Sequence, residues 1–128
     1  MPKTAEAALH QQVCEYLKWQ HPDVLYRTDL GGIRLSMSQA INVKRTQQGR
    51  AWPDIFIAEP RNNTSGLFLE LKKVGTVLYL KNGTFTKDVH LNEQREVLEA
   101  LEQRGYRASF AVGLDHALQL ITHHLKGV

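Results

Sequence analysis

The sequence predicts an α/β domain, with helices layered on a sheet that contains at least one parallel strand pair. Three observations carry this. Apolar residues repeat with helical spacing over Thr4 to Trp19, and short apolar runs in the middle of the chain are broken by Gly, Pro and Asn. The last third reads as helix, strand, helix. With 128 residues, 42% hydrophobic and 23% charged, the chain suits one domain over 1–128 with its own core. A formal charge of +3 permits a polyanionic partner without demanding one. The single cysteine, Cys14, excludes an internal disulfide and a thiolate metal cluster, and it fits a reducing cytosol. No apolar run approaches the roughly 20 residues of a membrane span, and the N-terminus lacks a signal-peptide core. No membrane partner is expected.

Thr4 is placed to cap the first helix, and Ala5, Ala8, Leu9, Val13, Tyr16 and Leu17 form its apolar stripe. Glu6 precedes Leu9 and Val13 at i, i+3 and i+7, on or beside that stripe. A carboxylate there is either a first-turn residue favoured by the helix dipole or one aimed at a site. His21-Pro22-Asp23 stops the helix, and Val24 to Arg27 is a short strand. Thr28 to Trp52 has no clear periodicity beyond a short helix over Ser36 to Val43. This part of the chain carries Arg27, Arg34, Lys44, Arg45 and Arg50 against a single acid, Asp29. It reads either as a solvated basic loop or as phosphate contacts along a nucleic-acid backbone. Trp52 is expected to pack beneath the sheet, with stacking on a base as the alternative.

The stretch from Trp52 to Lys73 is chemically unusual. Asp54 opens the run Ile55-Phe56-Ile57, and Glu70 and Lys72 lie inside a second apolar run. Pro60 to Gly66 is dense in turn residues and reverses the chain into a hairpin, returning Asp54 beside Glu70. Side chains at i and i+2 share a strand face, so Glu70 and Lys72 project together. Two carboxylates and an ammonium then meet within apolar strands, where charges do not normally belong. Two carboxylates suit a hard divalent cation, and an adjacent lysine can orient or deprotonate an attacking water. The alternative is a surface hairpin with an ordinary Glu–Lys pair.

Val74-Gly75 breaks the second run. Val77 to Leu80 and Thr84 to Thr86 flank Lys81-Asn82-Gly83, a hairpin signal, and Lys73, Lys81 and Lys87 extend a basic face. Asn92 is expected to cap the next helix, with Leu91 as its staple and Gly105 as its C-cap. Val97, Leu98 and Leu101 make its apolar stripe, and Glu93, Glu96, Glu99 and Glu102 its solvated face. Gln94 then falls in the first turn, either as a neutral helix-start residue or facing an anion. Arg107 to Val112 is a strand ended by Gly113, and Asp115 is expected to cap a last helix over His116 to Lys126. No two histidines have metal-ligand spacing, so zinc is not expected, and His123-His124 is expected at the surface.

Together, Glu6 on a helix, Gly49-x-x-Trp52-Pro53-Asp54, Glu70-Leu71-Lys72, Gln94 and Gly105-Tyr106 resemble the VRR-NUC branch of the PD-(D/E)xK nucleases, in its small stand-alone phage and bacterial form. The resemblance runs from about Glu6 to Leu125. It departs where Arg50-Ala51-Trp52 separate Gly49 from Pro53, since the family form G-x-P-D has one residue there. The resemblance implies a restriction-endonuclease-like core, a central mixed sheet flanked by helices. It implies Asp54, Glu70 and the main-chain carbonyl of Leu71 as ligands of Mg²⁺ or Mn²⁺. Glu6 would complete the metal shell directly or through water, Lys72 would be the catalytic lysine, and Gln94 would hold that lysine or the substrate phosphate. Arg27, Arg34, Lys44, Arg45, Arg50 and Lys73 would contact DNA. The implied activity is structure-specific DNA cutting, resolving four-way (Holliday) junctions as a homodimer in a bacterial or phage-infected cytoplasm. Flap-, nick- or duplex-directed cutting by the same residues, and a DNA-binding module without catalysis, are the alternatives.

Overall fold

The computed structural model describes residues 4–29 and 36–127; Arg34 and Gly31-Gly32 lie outside them. The elements are α1 (Ala5–Gln20), β1 (Tyr26–Thr28), α2 (Met37–Thr46), β2 (Ile55–Ile57), β3 (Leu67–Lys72), α3 (Val89–Gln103), β4 (Arg107–Val112) and α4 (Leu114–Lys126). The strands form one sheet in the order β1-β2-β3-β4. β1–β2 and β2–β3 are antiparallel and β3–β4 is parallel, so the sheet is mixed and flanked by helices, as expected.

Alternation along the strands divides the core into two layers. Ile55, Ile57, Leu67, Leu69 and Leu71 face Leu9, Val13 and Leu17 of α1 and Ala117 and Ile121 of α4. Phe68, Ala108 and Phe110 face Val97, Leu98 and Leu101 of α3. β3 is buried from Leu67 through Leu71 because it lies between two strands and two helical layers. Glu70 and Lys72 share the parity of Phe68 and therefore point into the α3 layer.

The β2–β3 reversal turns at Asn62 and Asn63, whose φ values of 51° and 62° lie in the left-handed region that Asn tolerates. An Arg61–Thr64 bridge closes the turn. Just beyond it, a Cβ at Gly66 would sit 2.7 Å from the Ile57 carbonyl oxygen, so the strands re-enter through a position only glycine fits. Thr4 caps α1 by accepting the Ala7 N–H at 3.0 Å. Ser36 caps α2 in a reciprocal box with Gln39, and the helix extends to Thr46, three residues beyond the expected end.

Several expectations are corrected. The cap of α3 is Asp88, which accepts the Leu91 N–H at 2.8 Å; Asn92 lies inside the helix and donates back to the Thr86 and Asp88 carbonyls. Gln94 is therefore in the second turn rather than the first. Gly105, with φ 95°, follows a C-cap formed by Arg104. α4 begins at Leu114 after Gly113, so Asp115 is a first-turn residue and not its cap. β1 starts at Tyr26, two residues after the expected Val24. The Lys81-Asn82-Gly83 turn forms, but its arms share only the Tyr79–Phe85 bridge and add no strand to the sheet. His124 is not at the surface. It is 0% exposed, and its Nε2 lies 2.7 Å from the Glu59 carbonyl oxygen, pinning α4 to the end of β2.

Candidate active site

The site forms where β2 and β3 part. Their last backbone pair is Ile55–Leu69. One residue further on, the Asp54 carboxylate takes the place of a ladder acceptor: Oδ2 accepts the Leu71 N–H at 2.7 Å. The Asp54 carbonyl in turn accepts the Asp29 N–H at 2.8 Å, tying this corner to the end of β1. In a strand the N–H and C=O of one residue point to the same side, so the Leu71 carbonyl faces the same gap as Asp54.

Glu70 completes the corner from the middle of a buried strand and is 4% exposed. Its Oε1 accepts a hydrogen bond from Gln94 Nε2 and lies 3.9 Å from Lys72 Nζ. Its Oε2 is buried with no donor in reach, as is Gln94 Oε1. Burial, followed by the charge and hydrogen bonding of Asp54, pushes the Glu70 carboxyl up to about 9, against the opposing pull of Lys72. Without a cation the corner therefore holds a proton at neutral pH.

Asp54, Glu70, Lys72, Gln94 and Glu6 all line one cavity of about 660 Å³. Glu6 is exposed on the first turn of α1 and stands at the rim. Among the described residues, no three His, Cys, Asp or Glu side chains converge closely enough to hold a metal alone. The corner offers two carboxylates, one with an orphaned buried oxygen, and a carbonyl. That donor set fits a hard cation such as Mg²⁺, which keeps several waters and takes substrate phosphate oxygens as further ligands.

The predicted cations are distributed unevenly. Arg50 lines the cavity. Arg27 lines an adjoining hollow from β1, while Lys44 and Arg45 are exposed in the last turn of α2 and Lys73 is exposed just past β3. Arg34 lies outside the described residues. Asp29, the single acid of the basic segment, also lines the cavity, as do His10 and His90, to which the sequence assigns no site role. Helical spacing was the available signal for the two histidines: His10 follows Glu6 by four residues, and His90 precedes Gln94 by four.

No protein-family model and no curated protein matches the chain. A solved structure described as "VRR_NUC domain protein" superposes with a TM-score of 0.67 at 25% identity, covering 94% of this chain and 88% of that one. The chain has the VRR-NUC nuclease fold. In this VRR-NUC fold the carboxylate corner lies on the α3 side of the sheet, open through the cavity to the first turn of α1. No helix among the described residues is long and apolar enough to cross a membrane.

Proposed function

We propose that the protein is a divalent-metal-dependent endonuclease that hydrolyses DNA phosphodiesters at the Asp54–Glu70–Lys72 corner. The observation that carries this reading is the buried Glu70 carboxylate, with its unpartnered Oε2, set beside Asp54 and Lys72 on an open cavity. A structural ion pair does not need an unpartnered buried oxygen, because burying a polar atom without a partner costs about 1–3 kcal/mol.

Asp54 and Glu70, with the Leu71 carbonyl, would hold Mg²⁺ or Mn²⁺. When bound, the cation supplies polarisation of the scissile phosphate and a lowered pKa for its water. The Leu71 N–H fixes the Asp54 carboxylate, so that side chain needs no reorganisation to accept a charge. Gln94 holds Glu70 Oε1, which leaves Oε2 as the oxygen turned to other use. Lys72 stands beside that carboxylate, with its amine available to orient or deprotonate the attacking water. Glu6 at the rim would reach the site through water. Arg50 in the cavity, with Arg27, Lys44, Arg45 and Lys73 around it, would carry the DNA backbone.

The finer reading is a nuclease for branched DNA. The described residues offer one such corner, so paired cuts in a four-way junction call for two copies related by a two-fold axis. The test is cleavage of end-labelled four-way junction, flap and plain duplex DNA with Mg²⁺, Mn²⁺ or chelator. Metal-dependent symmetric cuts in the junction support the dimeric resolvase. Cuts in flap or duplex instead keep the site and discard the junction. Binding without cutting under either metal overturns the enzyme reading.

A further inference from the structure

A second hollow adjoins the carboxylate corner and has a different chemistry. Its floor is a stacked pair, Phe56 and Phe68, with ring centroids 4.3 Å apart and planes 18° apart. Trp52 forms a wall, its ring 5.9 Å from that of Phe68 and tilted 54° to it, and it remains 41% exposed. It is held in place there: its indole N–H donates to Gln48 Oε1 at 3.1 Å. Because that contact uses only the oxygen of the Gln48 amide, its nitrogen keeps two hydrogens to offer. The volume of this open hollow is about 470 Å³, with Gln47 and Arg27 on its other walls. Small-molecule pockets span roughly 300–1,000 Å³ and are mostly apolar with a few convergent polar groups, a description this hollow meets.

What it would hold follows from its position. Thr28, Asp29, Trp52 and Asp54 line both this hollow and the catalytic cavity, so the two lie side by side. Asp54 immediately precedes β2 and Phe56 is that strand's second residue, so their Cα atoms are at most about 7 Å apart. A phosphate at Asp54 and a ring against Phe56 and Trp52 are therefore within reach of a single nucleotide. Aromatic side chains accept any base by its π-face, and side-chain amides read a base edge. A base still paired in a duplex cannot enter without being extruded, which costs free energy that an unpaired base does not.

We infer that this hollow is a base-binding pocket, and that the preferred substrate has an unpaired nucleotide beside the phosphate to be cut. The inference rests on the DNA-cutting reading above and narrows it to DNA with a bulged, flapped or junction-exposed base. Trp52 and the Phe56–Phe68 pair supply stacking, Gln47 and Gln48 meet the base edge, and Arg27 meets the backbone.

The test uses the full chain in chelator, so that cutting does not enter. Binding is compared for three labelled DNAs: a duplex with one bulged nucleotide, the same duplex with the bulged position abasic, and a fully paired duplex. The bulged base should bind about ten-fold tighter than either control, the loss expected for one base–aromatic stack. Trp52→Ala should remove that preference while Trp52→Phe retains most of it. In a Trp19→Phe background, the bulged DNA alone should quench the Trp52 emission; Trp19 is 81% exposed on α1, away from both hollows. Equal binding of the three DNAs by the unaltered protein overturns the inference without any variant having to fold. Cleavage of the same DNAs in Mg²⁺ separates the two claims. Cutting without base preference leaves the nuclease and removes the pocket, and base preference without cutting does the reverse.

Discussion

Replacing Glu70 by Gln should stabilise the metal-free protein, and the gain should grow with pH. The Glu70 carboxyl is raised from an ordinary 4.5 to about 9, first by burial and then by Asp54. A group whose folded pKa is raised contributes stability that is complete below 4.5 and is lost as pH climbs towards 9. Between those limits the folded state keeps a proton that the unfolded chain has released, which costs up to about 1.4 kcal/mol per pH unit. At pH 7 the penalty is about 3 kcal/mol, from 2.5 units at that slope. Gln at position 70 does not ionise, keeps the volume and retains a partner for Gln94, but its amide nitrogen puts two N–H donors where the carboxyl has an oxygen. The net gain at pH 7 should be about 1–3 kcal/mol, or roughly 4–12 °C in a chain of this size. Thermal unfolding in chelator from pH 5 to 8.5 reads it. The Tm gap between Glu70→Gln and the unaltered protein should be small near pH 5 and widen steadily. Other titrating groups are common to both proteins, so the difference isolates this carboxyl. A gap that does not change with pH, or a less stable variant at pH 8, would refute the electrostatic account of the corner.

Excess Mg²⁺ or Mn²⁺ should raise the Tm of the unaltered protein, by about 2.7 kcal/mol in stability when the ion is at 100 times its Kd. Asp54→Ala should show no such shift in the same scan, and equal shifts in both proteins would remove the ion from this corner. His124→Ala should cost about 2–4 kcal/mol, as a fully buried ring and its contact with the Glu59 carbonyl are lost, with DNA cutting unchanged. Burial lowers the His124 pKa from 6.5, so its contribution is present above pH 6.5 and lost as pH falls through the folded value. Urea midpoints measured from pH 5 to 8 should accordingly show a shallower acid-side loss in His124→Ala.

The fold was most legible where hydrophobic runs are short and bounded. Arg107 to Val112 reads as a strand from its sequence and is one, and Glu70 and Lys72 share a face because the period of a strand is two. The convergence of Asp54 on Glu70 was also legible, since Pro60 to Gly66 can only reverse the chain. Helix starts were less so. Asp88 and Asn92 are both good capping residues four apart, and local chemistry does not choose between them. The choice is made by packing: starting at Val89 places Gln94 in the second turn, 6% exposed and against Glu70. A start at Asn92 would have left it as a first-turn residue facing solvent or an anion. His124 was misread because a polar pair near a chain end resembles surface. Its burial depends on Glu59 and Asn62, more than sixty residues away, and no local pattern encodes that contact. The aromatic hollow was half visible in Trp52, but the stacking of Phe56 on Phe68 comes from strand register, which pairs them directly.

In the proposed reaction, Asp54 and Lys72 cut DNA with a divalent cation. The direct measurement is cleavage of the DNA that the unaltered protein cuts, in Mg²⁺ and in chelator, by Asp54→Ala and Lys72→Ala, with binding recorded alongside. Cutting should vanish in chelator and fall by orders of magnitude in both variants. Asp54→Ala should bind the DNA at least as well as the unaltered protein, because a negative charge beside phosphate has been removed. Full activity in either variant, or cutting that persists in chelator, would contradict the assignment of this corner as the active site.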